Sequence, residues 1–525
     1  MEVIMMNVLR IKMLIILGCV FLPVFAWATN YYVDGSLGSN CTSGNYSIAN
    51  RTCTGTDGNA QQTIQGVIDT YILGAGDTVW IRGGTYTEFW VTQADQGSAG
   101  VYLIFKSYAN ENVIINATGS NGNAAAIAVV GNPATVANRV SYVKFDGRGN
   151  DSGMHITTHN VSVENGIVIR NGWYIWFSGL VVNADGREYG FRIRSINWGT
   201  DQGETDDASG AKYCLIEYCD ASNANEEPIK LSGWAVNYNE VRFCNAHDQT
   251  NGTAPGINIS GGGYEGDAPT GNLVHDNNVY NNPTIVYAET YQAGVGIGIV
   301  ANTTGGPSGN KVYNNKIYNN GWQGIEIGTG ATGNYIYGNQ IYGNGYYAIN
   351  NYGGSGNYIY NNLIYGNQIT QSYAEIMVQN SGYAYLYNNS IKANVGNGIA
   401  ISSGAASGSI VKNNIIWDQV GGSNAFTNSA SGTTAQYNDF YGTTSYGSAT
   451  QSNNINENPQ WDSSYALTSS SPSGTGHVVD GGTSLSSVFT TDINGASRPQ
   501  GSGWDMGAYE YGSGLIPPGN LRIIQ

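Results

Sequence analysis

A chain of 525 residues with 74 glycines, 38 tyrosines and only 11% charged side chains is too turn-rich for a helical enzyme, and at 41% apolar content too hydrophobic for a disordered one. Its formal net charge of -16 argues against a nucleic-acid partner, because phosphate binding needs a basic face. Length alone suggests several domains, but a long internal repeat overrides that expectation.

Residues 1–28 read as a secretory signal peptide. Arg10 and Lys12 precede an apolar run from Met13 to Phe25, and Ala26-Trp27-Ala28 offers cleavage after Ala28. Ile16 to Cys19 loosely resembles a lipoprotein box, which makes anchoring at Cys19 the weaker alternative. No later run is apolar enough over sufficient length to cross a membrane. In the oxidising compartment this implies, Cys41 and Cys53 flank a polar loop and are expected to pair.

Residues 29–90 read as an N-terminal cap with the first coils. Ile64, Val67, Ile68 and Tyr71 recur at helical spacing and predict an amphipathic helix over Gln62–Tyr71. Such a helix would cover the apolar end of a solenoid. Asp77, Arg82 and Glu88, in the strand-turn-strand that follows, are expected to be structural.

Residues 91–441 carry the repeat. Gly309-Asn-Lys-Val-Tyr-Asn-Asn-Lys-Ile-Tyr318 returns at Gly333–Tyr342 and Gly356–Tyr365, then more loosely to Trp417. Aligned anchors are Val312, Ile336, Ile359, Leu386, Val411 and Gln436, at steps of 24, 23, 27, 25 and 25 residues. Short alternating runs such as Gly324-Ile-Glu-Ile-Gly328 read as strands between turns. Three strands and three turns fill one coil, so the fold class is all-β, a right-handed parallel β-helix with a capping helix. Three residues past the anchors stand Asn277, Asn315, Asn339, Asn362, Asn389 and Asn414, then Asp439. Stacked about 4.8 Å apart, these amides can bond up and down the stack. This resembles the asparagine ladder of right-handed β-helix proteins.

Upstream, Ile175, Ile216, Val241 and Val274 are read as further anchors, with longer steps that place insertions between about 183 and 309. Cys219 and Cys244 then occupy the ladder position one coil apart, within disulfide reach, and Cys214 is left over. Charge concentrates in the same region: 18 of the 64 residues from Asp185 to Asp248 are charged, against 5 of 116 from Gly321 to Gln436. Insertions in repeat proteins form loops on one flank, where binding surfaces are built.

Residues 442–511, with Asn458-Pro-Gln-Trp-Asp462 and Asp492 to Glu510, resemble a C-terminal module common after secreted bacterial β-helices. Residues 512–525 read as a tail.

Aligning Tyr189-Gly-Phe-Arg-Ile-Arg194, Pro228-Ile-Lys-Leu-Ser232, Gly256-Ile-Asn-Ile-Ser260 and Gly324-Ile-Glu-Ile-Gly328 points the apolar members inward. An outward row follows: Arg192, Lys230, Asn258, Gly298, Glu326, Asn350. Like charges on adjacent rungs disfavour the protonated lysine. This arrangement resembles that of β-helix polysaccharide lyases in the pectate-lyase-like superfamily. The resemblance implies β-elimination on a uronic-acid-containing polysaccharide, with Lys230 as base and Arg192 neutralising the carboxylate. It further implies Glu226 and Glu227 as calcium ligands. Arg194, Asn258 and Glu326 then become substrate-binding candidates.

A surface cluster that only pairs charge is the bland alternative. A polysaccharide-binding protein without catalysis is another, and the tyrosines Tyr313, Tyr337, Tyr360 and Tyr387 support it, since exposed rings bind sugar faces. Tyr337 and Tyr360 are its binding candidates. A glycoside hydrolase is third. None of the five histidines precedes a glycine, as polygalacturonases would have it, and Asp206-Asp207 falls in a polar loop. The partner expected in each case is a polysaccharide, met by a monomer.

Overall fold

The structure is a computed structural model. It describes residues 28–512 except 110, 120–123, 132–138, 148–152, 159–163, 196–209, 234, 253, 262–267, 284–285, 288–290, 293, 302–305, 368–372, 419–420 and 422. The signal segment, Asp206-Asp207 and nearly all of the tail lie outside the described residues.

Alternating side chains and paired turn residues wind the chain into a right-handed parallel β-helix. Three parallel sheets of 16, 13 and 13 strands form its faces. They are named here sheets 1, 2 and 3 in the order one coil visits them. In a clean coil the sheet 1 strand is Lys311–Tyr313, the sheet 2 strand Lys316–Tyr318 and the sheet 3 strand Ile325–Ile327. The central residue points inward in the sheet 1 and sheet 2 strands and the two flanking residues do so in sheet 3, so Val312, Ile317, Ile325 and Ile327 are fully buried. The core is thus a stack of aliphatic rungs, with phenylalanines upstream. Phe105, Phe145 and Phe177 lie one above another at 5.2 and 4.7 Å between ring centres.

Each corner uses two residues. The first takes a left-handed backbone, which glycine and asparagine tolerate best; Gly309, Asn314 and Asn319 have φ of 61°, 55° and 53°. The second is a buried asparagine. The clean coils therefore carry three asparagine ladders, one per corner. Asn239, Asn272, Asn310, Asn334 and Asn357 form the first. The second is the expected one, continuing from Asn414 to Asn438 and Asn454. Asn282, Asn320, Asn344 and Asn367 form the third. The third ends on Glu375, whose carboxylate side accepts from Asn367 Nδ2 at 2.9 Å. Burial pushes the Glu375 carboxyl well above its ordinary range.

Strand register corrects two anchors. Val411 pairs with Ala435 rather than Gln436, which makes Asn438, not Asp439, the ladder residue. Ile216 stands above Phe177, so Phe177 and not Ile175 is the anchor of that coil. An aromatic rung had disguised the repeat.

Cys41 and Cys53 are disulfide-bonded, with α-carbons 5.1 Å apart. Cys219 and Cys244 do fall on the second ladder, but as buried thiols and not as a bridge. Cys214 is not a leftover. It holds the corresponding place on the first ladder, where its N–H donates to Asn239 Oδ1 at 2.9 Å.

The helix spans Ile64–Thr70, capped by the Thr63 hydroxyl, and buries Ile64, Val67 and Ile68 over the first coils. Asp77 accepts from the Thr29 and Gly74 N–H groups, Arg82 pairs with Glu111, and Glu88 accepts from Thr118. All three are thus held by partners within the cap and the first coils.

At the far end the C-terminal module folds back on sheet 1. The corner asparagines Asn361, Asn388 and Asn413 donate to the backbone carbonyls of Thr491, of Asp505 and Gly507, and of Thr483. Arg498 is fully buried against Glu510 at 2.6 Å, and it also donates to Asn361.

Candidate functional site

The row expected on sheet 3 is present. Val168, Arg192, Lys230, Asn258, Gly298, Glu326 and Asn350 are successive register partners. Phe191, Ile193, Ile229 and Leu231 take the inward places, all at 1% exposure or less. A pleated strand then leaves Arg192 and Lys230 only the outer face.

What surrounds these two cations differs from the expectation. Glu227 Oε1 stands 2.9 Å from Lys230 Nζ and also accepts from Asn258 Nδ2 at 2.7 Å. An acid therefore relieves the expected like-charge crowding of the lysine. Tyr189 supplies a shared floor. The Arg192 guanidinium lies 4.2 Å and Lys230 Nζ 4.8 Å from its ring centre, close enough for cation–π attraction. The Tyr189 hydroxyl donates to Glu226 Oε2 at 2.7 Å. Burial pushes this phenol far above its ordinary range, by more than the Arg192 charge pulls it back, so it keeps its proton.

Two members of this cluster, Tyr189 and Arg170, were not picked out from the sequence. Arg170 pairs in register with Arg194 and adds a fourth cation to the same face. Burial first, and then the Arg192 charge, lowers the Arg170 pKa. Its signal was present, since Gly166-Ile-Val-Ile-Arg170 repeats the pattern of Tyr189 to Arg194 one coil earlier. Tyr189 gave no such signal, because it lies at the strand's start, outside the alternation.

The other candidates divide. Arg192 is only 3% exposed, so it is a buried member of the row and not a surface group. Arg194 is also buried and donates through Nε to the Ser195 carbonyl. Glu326 lies two rungs past Asn258, and burial raises its carboxyl above the ordinary range. Gly298 between them is a close approach: a Cβ there would meet the Pro255 ring at 2.5 Å. Glu226 and Glu227 are committed to Tyr189 and to Lys230 with Asn258. Among the described residues no group of three or more His, Cys, Asp or Glu side chains is placed to hold a metal ion.

The tyrosine row lies on sheet 1, away from this cluster. Tyr313, Tyr337 and Tyr360 stack at 4.9 and 4.8 Å, but Phe489 of the C-terminal module then stacks on Tyr360 at 4.6 Å. Tyr360 and Tyr387 are buried with Leu485, Phe489 and Trp504. Tyr360 thus docks the module and is not open to a sugar, while Tyr337 stays half-buried.

A family model described as a right handed beta helix region matches residues 178–364, which include Arg192, Lys230 and the first clean coils. The match agrees with the coil path. No match was found among curated proteins. Similar solved structures include the pectate lyase Pel9A, at 14% identity and TM-score 0.44, covering 92% of this chain and 96% of that one. The A-module of the Azotobacter vinelandii mannuronan C-5 epimerase AlgE6 is 15% identical, with TM-score 0.42 and coverage of 73% and 91%. An alginate lyase from Paenibacillus sp. str. FPU-7 is 14% identical, with TM-score 0.36 and coverage of 66% and 96%. Likenesses this distant bear on neither substrate nor activity.

No helix among the described residues is long and apolar enough to cross a membrane.

Proposed function

We propose that this is a secreted, polysaccharide-acting β-helix protein whose working surface is the Arg192–Lys230 face of sheet 3, and that it cleaves a uronic-acid-containing chain by β-elimination. The observation that carries this reading is the stacking of two cations on adjacent rungs over one tyrosine ring, with a buried carboxylate 2.9 Å from the lysine. Lys230 hands a proton to Glu227 and becomes a neutral amine. That amine takes the proton from C5 of the uronate. The C5–H electrons form the C4–C5 double bond, the C4–O bond breaks, and the departing oxygen takes, through water, the proton that Glu227 received, which restores the Lys230–Glu227 pair. Arg192, one rung below, favours the carboxylate charge that grows toward the enolate in the transition state. Lys230 is 14% exposed at its side chain, so its tip is the part of the pair that meets solvent. No step is routed through a metal.

The test is to incubate the mature protein with a panel of polyuronides and follow the ultraviolet absorbance of the unsaturated product. Lys230→Ala should lower the rate by about 100-fold or more, the usual weight of a positioned base. Equal cleavage by native protein and Lys230→Ala would put the chemistry elsewhere. A second reading is binding without cleavage, favoured by the same Lys230–Glu227 ion pair, which occupies the proposed base. Its mark is retention of a polyuronide with no unsaturated product.

A further inference from the structure

The coils before the clean repeats break the corner rule. At the corner entering sheet 1, the left-handed residue is Gly271, Gly309, Gly333 and Gly356 in four later coils, with φ of 61° to 67°. In the four coils before them the same place holds Tyr142, Tyr174, Tyr213 and Tyr238, at φ of 56° to 59°. Bridging partners fix this equivalence, since Trp173 pairs with Lys212 and Lys212 with Asn237, one residue before each tyrosine. At the corner leaving sheet 1, Tyr218 and Phe243, both at φ 53°, stand where later coils have Asp276, Asn314 and Gly338. A bulky side chain is disfavoured in this backbone region, and such outliers gather at ligand sites.

These side chains are not spent on the core. Tyr213, Tyr238, Tyr218 and Phe243 are 41, 51, 54 and 40% exposed. They stack in two ladders, Tyr174 on Tyr213 on Tyr238 at 5.1 and 5.5 Å, and Tyr218 on Phe243 at 5.0 Å. Sheet 1 strands only three residues wide, Leu215–Glu217 and Glu240–Arg242, separate the ladders. The walls stand five chain positions apart, so the result is a trough roughly 16 Å across, with aromatic walls and a polar floor. A cavity of about 340 Å³ opens along the Tyr174–Tyr213–Tyr238 wall, with Trp176, Leu215 and Glu240 also lining it. In the floor Glu217 accepts from Trp176 Nε1 at 3.0 Å and from Arg242 at 2.6 Å, and Arg242 also pairs with Glu240 at 2.7 Å.

We propose that this trough on sheet 1 is a carbohydrate-binding subsite for neutral sugar residues, separate from the cationic face of sheet 3. Aromatic walls suit the apolar faces of pyranose rings, and fixed polar groups on the floor suit their hydroxyls. The floor carboxylates are already paired, Glu217 and Glu240 with Arg242 and Glu240 also with His275 at 3.0 Å, while Lys144 lies 3.5 Å from the Trp176 ring centre. With its charges paired among themselves the site offers aromatic faces and hydrogen bonds, which suit a neutral sugar, and, among the described residues, no free cation to hold a uronate. Strain together with exposure points to a ligand, because the same corners of the clean coils are served by glycine or asparagine, at Gly309, Asn314, Gly333, Gly338, Gly356 and Asn361.

The test is calorimetric titration of the full mature chain with neutral hexasaccharides (cello-, xylo- and manno-series) and with oligogalacturonate and oligomannuronate, alongside tryptophan fluorescence to read Trp176. At least one neutral hexasaccharide should bind. The double variant Tyr213→Asn/Tyr238→Asn should weaken it about tenfold or more, a loss of at least ~1.4 kcal/mol, while the melting temperature holds, because asparagine suits the left-handed corner. Tyr218→Asn, on the opposite wall, should weaken the same ligand and serves if the double variant does not fold. Lys230 and Arg192 are untouched throughout. The assignment fails if no neutral hexasaccharide binds, if only the uronate oligomers do, or if these variants bind the neutral ligand as well as the native chain.

Discussion

Asn339 meets its full bonding capacity without water. Its Oδ1 accepts from the N–H and from Nδ2 of Asn315, both at 3.0 Å, and its Nδ2 donates to the Val312 carbonyl and to Asn362 Oδ1, again at 3.0 Å. Asn339→Ala would leave at least two donors of Asn315 and one carbonyl unpaired in a dry corner. The expected loss is roughly 2–4 kcal/mol, read from urea unfolding. One residue earlier the chemistry changes. Gly338 has φ 66°, and a Cβ there would meet Asn314 Oδ1 at 2.6 Å, so Gly338→Ala should cost about 1–2 kcal/mol. Asn314→Gly at the exposed equivalent corner should change stability by less than about 1 kcal/mol. A ladder variant no more harmful than Asn314→Gly would mean the amide stack is incidental. His247 offers a pH-dependent case. Burial opposes its protonation, but hydrogen bonds to Asp220 and Asp248 at 3.1 and 2.7 Å outweigh that and raise its pKa above 6.5. The Asp220 carboxyl, although burial raises it, is lowered overall by the same partner. The sign follows from linkage: this pair's stabilisation is fully present below about pH 6.5 and is lost as pH rises through the raised folded value. His247→Gln should flatten the melting temperature across that window. A variant with the same slope as the native chain would place the effect on another group.

At the scale of the coil, legibility depended on whether each corner used its commonest residues. Gly309-Asn310, Asn314-Asn315 and Asn319-Asn320 are spaced five residues apart, yet only the middle ladder was recognised. The other two lie five residues on either side of it and could have been read from the same lines. The upstream coils were harder for a physical reason. Phe177 replaces an aliphatic rung, cysteines replace ladder asparagines at 214, 219 and 244, and aromatic residues replace corner glycines. The Arg192–Lys230 row survived this because alternation along a strand reports facing directly. Glu226 and Glu227 were legible at the mouth of the same strand as groups that could offset that charge or hold a cation, but which of them meets Lys230 depends on a turn geometry that alternation does not encode. The ladder cysteines make a further prediction. Burial, first of all, and the neighbouring Cys219 thiol raise the Cys244 thiol well above its ordinary range, which keeps it unreactive. A thiol reagent should therefore label none of Cys214, Cys219 and Cys244 in the folded chain and all three after denaturation. Only Cys214 reacting after denaturation would show a Cys219–Cys244 bridge instead.

At the scale of the molecule, a solenoid has two apolar ends and long sides that must stay soluble, and this chain treats them differently. The helix at Ile64–Thr70 covers the first coils with Ile64, Val67 and Ile68. The C-terminal module does not simply follow the last coil. It returns along sheet 1 to cover Tyr360 and Tyr387 with Leu485, Phe489 and Trp504, and takes its backbone bonds from the corners at Asn361, Asn388 and Asn413. The tyrosine stack is thereby divided into a covered stretch and an open one that ends near Tyr337. A chain ending after Ile455 would keep the ladder through Asn454 but expose that covered stretch as one contiguous apolar patch. Its circular dichroism should still report β-structure. Its melting temperature should fall, a hydrophobic dye should bind, and light scattering should show self-association through the uncovered tyrosines. Changing Tyr360 and Tyr387 to Ser in the shortened chain should reverse the association without restoring the melting temperature. A shortened chain that stays monomeric, excludes the dye and melts with the full-length protein would show that the module hangs from the solenoid without covering it.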